Sequence, residues 1–443
     1  MKFSKISVGV MLALGLNVQA QGADLLDIYH AALNQDAVFA SAKASQHAGQ
    51  EKLSQGRSLL MPSVNLNANT TANDVTTTYG AGSPFAASSG NKQYNSRGYG
   101  VTLVQPLFRE QNWAAYNEGE LQTAISEAQF KLAEQDVILR SAQTYFDVLI
   151  AQDTVKLSAA QKTAISQQLE QAKRNFEVGT ATITDTHEAQ ARYDLIVAQE
   201  LSAQNNLEIK RRALQQLVNA DVGDLKVLGS TFRLEAPNPN DVQKWVADAQ
   251  QSSYQIAQAQ AAYQISEQEV ARNRGGHLPT LDLVATYNKN ISDGGSFGST
   301  DVLNKTVGVQ LNMPLFQGGA TQSKWREADA NREKSKQDLE NAKRNVELQT
   351  RQAYLGVVSG IAQVQALQQA VKSSESLLEA SKLGQEVGVR TSLDVLNAQQ
   401  QVFSTRRDLY QAQYNYLMSH LRLKAAVGSL AEADVGQVNQ AMR

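Results

Sequence analysis

Two periodicities divide this chain. Between Pro62 and Pro106 apolar and polar residues alternate one by one. Val64, Leu66, Ala68, Thr70 and Ala72 interleave with Ser63, Asn65, Asn67, Asn69 and Thr71, and Tyr99, Val101 and Leu103 resume the pattern after a loop. The alternation returns as Leu281, Leu283, Ala285 and Tyr287, and again as Val307, Val309, Leu311 and Met313. A period of two sends successive side chains to opposite faces, so it predicts four amphipathic strands of about ten residues. Their expected spans are about 62–74, 97–105, 280–289 and 305–313. Loops rich in Gly, Ser and Asn, residues 74–96 and 290–304, join each pair.

The rest follows a helical period. Residues 108–175 contain no proline, and Leu121, Ile125, Ala128, Leu132, Leu139, Ala142, Phe146 and Leu149 recur at spacings of four and three, with Gln135 in the one gap. Val364, Leu367, Val371, Ser374, Leu378 and Ser381 do the same further on. Both read as coiled-coil seams built with small residues. At 1.5 Å per residue such a helix is about 100 Å long, more than a globular domain can use. Shorter helical segments are expected at about 24–59, 182–220, 240–276 and 391–427. All seven prolines fall outside the helical segments, where elements begin and end.

The two sets are copies. Glu177, Val178, Gly179, Thr182, Asp185 and Gln190 recur 209 positions later as Glu386, Val387, Gly388, Thr391, Asp394 and Gln399, and Tyr145 recurs as Tyr354. Pro106-Leu107-Phe108 returns as Pro314-Leu315-Phe316, and Pro62 as Pro279. The period is too long for a solenoid. It implies a first repeat over 21–236, a second over 237–428, and a C-terminal tail, 429–443.

Residues 1–20 read as a secretory signal peptide: Lys2 and Lys5, an apolar run from Ile6 to Leu16, and the small-x-small site Val18-Gln19-Ala20. Without them 39 Lys and Arg face 43 Asp and Glu, a net charge of −4. That near-neutral balance argues against a nucleic-acid partner. The absence of cysteine excludes disulfides, thiolate metal sites, a cysteine nucleophile and an acylated N-terminal cysteine. No run is apolar enough for a transmembrane helix, but barrel strands look only half apolar. Four strands cannot face lipid as an open sheet, because each unpaired edge group costs several kcal/mol there. Nor can four close a membrane barrel alone, since about eight or more are needed. Several chains must share one: two would supply eight strands, three would supply twelve. The competing reading is a secreted coiled-coil protein, such as an adhesin stalk, with two small hairpins.

No catalytic constellation is visible. His30, His47, His187, His277 and His420 lack metal-ligand spacing, and no cofactor motif occurs, so the chain reads as a non-enzyme without metal or cofactor. The informative chemistry lies in residues 390–397. Gly388 ends a long helix, Thr391 can cap the next, and Asp394 falls where a capping box places an acid. Asp394 and Asn397 are three apart and share a helix face, so in a symmetric assembly each becomes a ring.

Val-Gly followed by Thr-x-x-Asp, present twice, the strand closers Pro-Leu-Phe, and Tyr414-Asn415-Tyr416-Leu417 before Leu423-Lys424-Ala425-Ala426-Val427-Gly428 resemble the TolC family over nearly the whole chain. The resemblance implies a mainly α protein with a transmembrane β-barrel. In it, a homotrimer closes one twelve-stranded barrel in the outer membrane, continuing into a periplasmic α-helical tunnel. It also implies an exit duct for tripartite efflux pumps or type I secretion, working with a periplasmic adaptor and an inner-membrane transporter. By the same resemblance Asp394 and Asn397 line the periplasmic constriction, Asn397 standing where a second acid is usual. Arg390 to Thr184 and Gln385 to Asp185 match the family's gate contacts, Gln385 replacing a common tyrosine. The turns Val178-Gly179 and Val387-Gly388 match the adaptor-facing end.

Overall fold

The computed structural model describes residues 23–229, 232–295 and 298–442. The expected signal peptide lies outside them. Among these residues the α-helices and strands follow in this order: helices α1 (Leu25–Gln35) and α2 (Ala37–Ser58), strands β1 (Ser63–Thr77) and β2 (Gly90–Phe108), helices α3 (Glu110–Glu177), α4 (Ile183–Val218), α5 (Val242–Ser252) and α6 (Tyr254–Arg274), strands β3 (Thr280–Ser292) and β4 (Thr300–Asn312), and helices α7 (Ala320–Glu386), α8 (Ser392–Val427) and α9 (Glu432–Asn439). They fall into two compact units. One comprises residues 41–134 and 246–350, and the other residues up to 40, 135–245 and 351 onward.

The first unit holds the sheet, antiparallel throughout in the order β1-β2-β3-β4. Directly opposed residues share a face. Val64 pairs with Leu103, Leu66 with Val101 and Ala68 with Tyr99. Leu103 also meets Ala285, and Leu281, Leu283 and Ala285 meet Leu311, Val309 and Val307. The pairing thus collects these twelve apolar residues on one face. The other face carries Asn65, Asn67, Thr102, Thr286, Thr306 and Asn288. There Gly100 leaves room for the side chain of Asn288, which a Cβ would strike. Towards the hairpin ends two lysines enter the apolar face. Lys289 pairs with Asp301 at 3.2 Å, and the Lys305 ammonium lies 5.5 Å from the Tyr287 ring centre.

The strands are longer than the alternation alone predicts. β1 and β2 run through Thr77 and from Gly90, and β3 and β4 run through Ser292 and from Thr300, so the strands take in part of both expected loops. The added stretches are mostly polar on both faces, and Val75, Tyr94, Ile291, Val302 and Leu303 are too scattered in them to make an alternation, so backbone pairing continues without a clear apolar signal. The register also repeats. Adding 217 to β1 and 208 to β2 turns the pairs Ala68–Tyr99 and Leu66–Val101 into Ala285–Val307 and Leu283–Val309, which are the pairs observed.

Where β2 gives way to α3, Arg109 closes a two-pronged ion pair on Asp282 of β3, Nε to Oδ1 at 2.8 Å and Nη2 to Oδ2 at 2.6 Å. The geometry is the bidentate fork that guanidinium and carboxylate favour. Close helix packing needs glycine nearby: a Cβ at Gly119 would sit 2.6 Å from the Lys52 carbonyl oxygen.

The second unit contains most of the buried seam. Gln135, Ala142, Phe146 and Leu149 in α3, and Val364, Ser374 and Ser381 in α7, are all buried. Tyr145 and its repeat mate Tyr354 each pin an irregular segment, Tyr145 donating to the Lys226 carbonyl at 2.6 Å and Tyr354 to Asn240 Oδ1 at 2.7 Å. The segment expected as one helix over 24–59 breaks at Asp36. That carboxylate accepts from the Phe39 amide and pairs with Arg140 at 2.6 Å. The second half breaks at Ser253, again 217 positions on, so the interruption belongs to the duplicated unit. The expected tail contains α9, whose Asn439 accepts from the Leu25 amide at 3.1 Å.

Asp24 caps α1 in this region and pairs with Lys226 at 3.0 Å. Burial pushes its carboxyl up, but hydrogen bonds from the Asp27 amide, Asn439 and Lys226 outweigh burial and hold it at about 2. A carboxyl depressed by folding stabilises the fold above its unfolded pKa, near 4, and loses that contribution as pH falls towards 2. Asp24 should thus contribute about 2 kcal/mol that disappears between pH 4 and pH 2. Thermal unfolding in detergent checks this: Asp24→Asn should flatten that part of the acid decline and leave the curve above pH 5 parallel to the parent's.

Candidate functional site

The residues singled out at the two interhelical turns all lie in the second unit. Each turn follows from a glycine in the left-handed region, Gly179 at φ 76° and Gly388 at φ 81°, which L side chains rarely adopt. The Val389 and Arg390 amides then donate to the Gly384 carbonyl at 2.8 and 3.0 Å, and the Thr180 amide donates to the Asn175 carbonyl at 2.8 Å. These bonds satisfy the last carbonyls of α7 and α3 and reverse the chain within a few residues. The turns present apolar side chains outward: Val178, Val387 and Val389 are 73%, 65% and 76% exposed.

Both following helices open with the same capping box. The Thr391 amide donates to Asp394 Oδ2 at 2.9 Å, and the Asp394 amide donates back to Thr391 Oγ1 at 3.2 Å. Thr182 and Asp185 repeat the arrangement at 2.8 and 3.3 Å. The backbone and hydroxyl of Thr391 hold the Asp394 carboxyl below the usual range, with Arg390 adding to the effect. Asp394 is therefore ionised at neutral pH and still 38% exposed. The cap uses one carboxylate oxygen, Oδ2, while Oδ1 faces Arg390 Nη1 at 3.8 Å.

Within one chain Arg390 thus lies against Asp394, its stem packed over Gly384, and Gln385 donates to Ser392 Oγ at 3.0 Å. Among the described residues no hydrogen bond joins Arg390 to Thr184 or Gln385 to Asp185 within the chain. Asn397 is not free: its Oδ1 accepts from Arg192 Nη2 of α4 at 3.1 Å, and Gln400 Oε1 accepts from Arg192 Nη1 at 2.9 Å. Sequence reasoning passes over Arg192. Its repeat mate, 209 positions on, is Gln401, so it departs from the duplicated pattern, and that departure is its one signal. Below it, Ile165, Ile196 and Leu396 form a small buried cluster against Tyr193, which fixes α3, α4 and α8 side by side at this level.

The family model described as outer membrane efflux protein matches residues 28–220 and 245–429. The chain belongs to that family. It is 32% identical to the outer membrane protein TolC of Vibrio cholerae serotype O1 over 438 residues, covering 98% of this chain and 97% of that one. It is 34% identical to the alkaline protease secretion protein AprF of Pseudomonas aeruginosa over 431 residues, covering 96% and 89%. The fold matches solved outer-membrane channels. VceC of Vibrio cholerae aligns with a TM-score of 0.78 at 18% identity, covering 91% of this chain and 96% of that one. The CmeC channel of Campylobacter jejuni aligns at 0.79 and 16%, covering 100% and 97%. This outer membrane efflux protein is an export duct with its helical part in the periplasm, not a secreted structural stalk. The family is one of channels rather than enzymes.

Proposed function

We propose that three copies of this chain close a twelve-stranded barrel in the outer membrane, and that their helices form a gated passage for efflux or for type I secretion. One observation carries the reading: a four-stranded sheet with an apolar face and two open edges, β1 and β4. Lipid tolerates no open edge, so each β4 must pair with β1 of another copy. The apolar face then meets outer-membrane lipid, and the polar face lines the lumen. Relatives named for protease secretion and for efflux both support a duct that takes its cargo from whichever inner-membrane transporter it serves. A periplasmic adaptor would grip the exposed valines of the two turns, Val178-Gly179 and Val387-Gly388, because apolar side chains so exposed are suited to burial against a partner helix.

The same turns form the gate in this reading. Asp394 and Asn397 become three-fold rings at the constriction. Arg390 and Gln385 reach Thr184 and Asp185 across a boundary between copies or between helices when the passage is shut. Arg390→Ala should loosen the gate and raise single-channel conductance in planar bilayers several-fold. Normal assembly with unchanged conductance would show that Arg390 serves its own turn only.

A further inference from the structure

We infer that Arg192 latches α8 to α4 and makes the second position of the constriction basic. The inference rests on the reading that Asp394 and Asn397 line the passage. From sequence the second position is neutral, an amide where an acid is usual in the family. The structure adds a cation that no spacing on α8 reveals. Arg192 stands on the neighbouring helix and spans Asn397 and Gln400, three residues apart on one face of α8, with two nitrogens at 3.1 and 2.9 Å. Two bonds from one planar fork fix both distance and angle, which a single-point donor cannot do.

The partners are amide oxygens and carry no charge. Among the described residues no carboxylate forms an ion pair with this guanidinium. On α4, Asp194 accepts from Gln190 at 2.9 Å, and Glu188 and His187 lie about one turn away. On α8 the neighbouring acid is Asp394, which faces Arg390. Among the described residues the positive charge of Arg192 thus has no ion-pair partner within the chain, and it lies 3.1 Å from the Asn397 oxygen. Within the chain Asp394 faces Arg390, and Arg192 adds a guanidinium bound only to amide oxygens beside Asn397. Three copies would set a ring of positive charge close behind the acidic one, and the passage should discriminate weakly between cations and anions.

The latch and the charge can be separated. Arg192→Lys keeps the charge but loses the fork, so it should raise conductance while leaving the zero-current potential in a salt gradient unchanged. Arg192→Gln should raise conductance and also shift that potential towards cation selectivity. The decisive comparison uses block by hexaamminecobalt(III). Asn397→Asp alone places its new carboxylate against Arg192, so its block should tighten less than about twofold. The double variant Arg192→Gln/Asn397→Asp frees that carboxylate and should tighten block about tenfold. Equal tightening in the single and double variants would overturn the inference. So would an unchanged potential in Arg192→Gln. Asp394→Asn separates this failure from failure of the constriction itself: if that variant keeps full block, the constriction lies elsewhere and both readings fall. If it loses block while the single and double Asn397 variants agree, Arg192 alone is misassigned.

Discussion

Leu66→Arg should leave the chain unable to assemble in the outer membrane, while Asn67→Arg, one residue along, assembles as the parent does. Leu66 lies on the apolar face opposite Val101 and is 72% exposed in the single chain. Asn67 points to the other face, opposite Gly100. An arginine facing lipid costs about 2–4 kcal/mol near the bilayer midplane, and the cost recurs in every copy that shares the barrel. An arginine facing a water-filled lumen keeps its hydration. The readout is heat-modifiable oligomer in the outer-membrane fraction. Equal tolerance at the two positions would mean that the apolar face does not meet lipid.

Asp394→Asn should abolish block by a trivalent cation added on the periplasmic side and change stability little. Asparagine can still accept the Thr391 bonds that close the capping box, so α8 keeps its start to within about 1 kcal/mol. On the proposed reading, what is lost is one negative charge per copy in a narrow passage, where like charges held together attract a multivalent ion strongly. If Asp394 serves only as a cap, the outcome reverses, with a small loss of stability and full block. The structure makes this contest sharper than the sequence does. The cap engages Oδ2, while Oδ1 faces Arg390 at 3.8 Å, so the same carboxylate can cap its helix and carry charge.

Much of this fold is legible in the order of residues, for identifiable reasons. The four strands are, because Leu66, Val101, Leu283 and Val309 must share one face and only a period of two allows it. The long helices are, because 68 residues from Glu110 to Glu177 carry a seam without proline. The turns are, because Gly179 and Gly388 occupy a backbone region that demands glycine. The outer thirds of β1 and β2 are not, since polar residues on both faces, broken only by Val75 and Tyr94, resemble loop. Nor is the break at Asp36, whose carboxylate caps the next helix through the Phe39 amide and is held by Arg140, about a hundred residues away in sequence. α9 is short and holds its place through Asn439 and a buried Val435 and Val438, contacts that no local pattern encodes. Arg192 is the clearest omission at the site. Asn397 on α8 reads as a solitary amide until the helix from the other repeat is laid beside it.

The central claim is that β4 of one copy pairs with β1 of the next, and the duplication specifies how. Within the chain Thr102 of β2 stands opposite Thr286 of β3. Adding 208 to the first and subtracting 217 from the second, the offsets that relate the observed pairs, places Gln310 of one copy opposite Asn69 of its neighbour. The chain has no cysteine, so a pair introduced there reports without background. Opposed Cβ atoms in a sheet lie about 4.5–5.5 Å apart, close enough for a disulfide after a small adjustment. Asn69→Cys/Gln310→Cys, oxidised in outer-membrane vesicles, should run as a covalent trimer on non-reducing gels and as monomer once reduced, while Asn67→Cys/Gln310→Cys and each single variant should not. Assembled protein that gives no cross-link between copies, or one equally strong in the shifted pair, would contradict the shared barrel in this register.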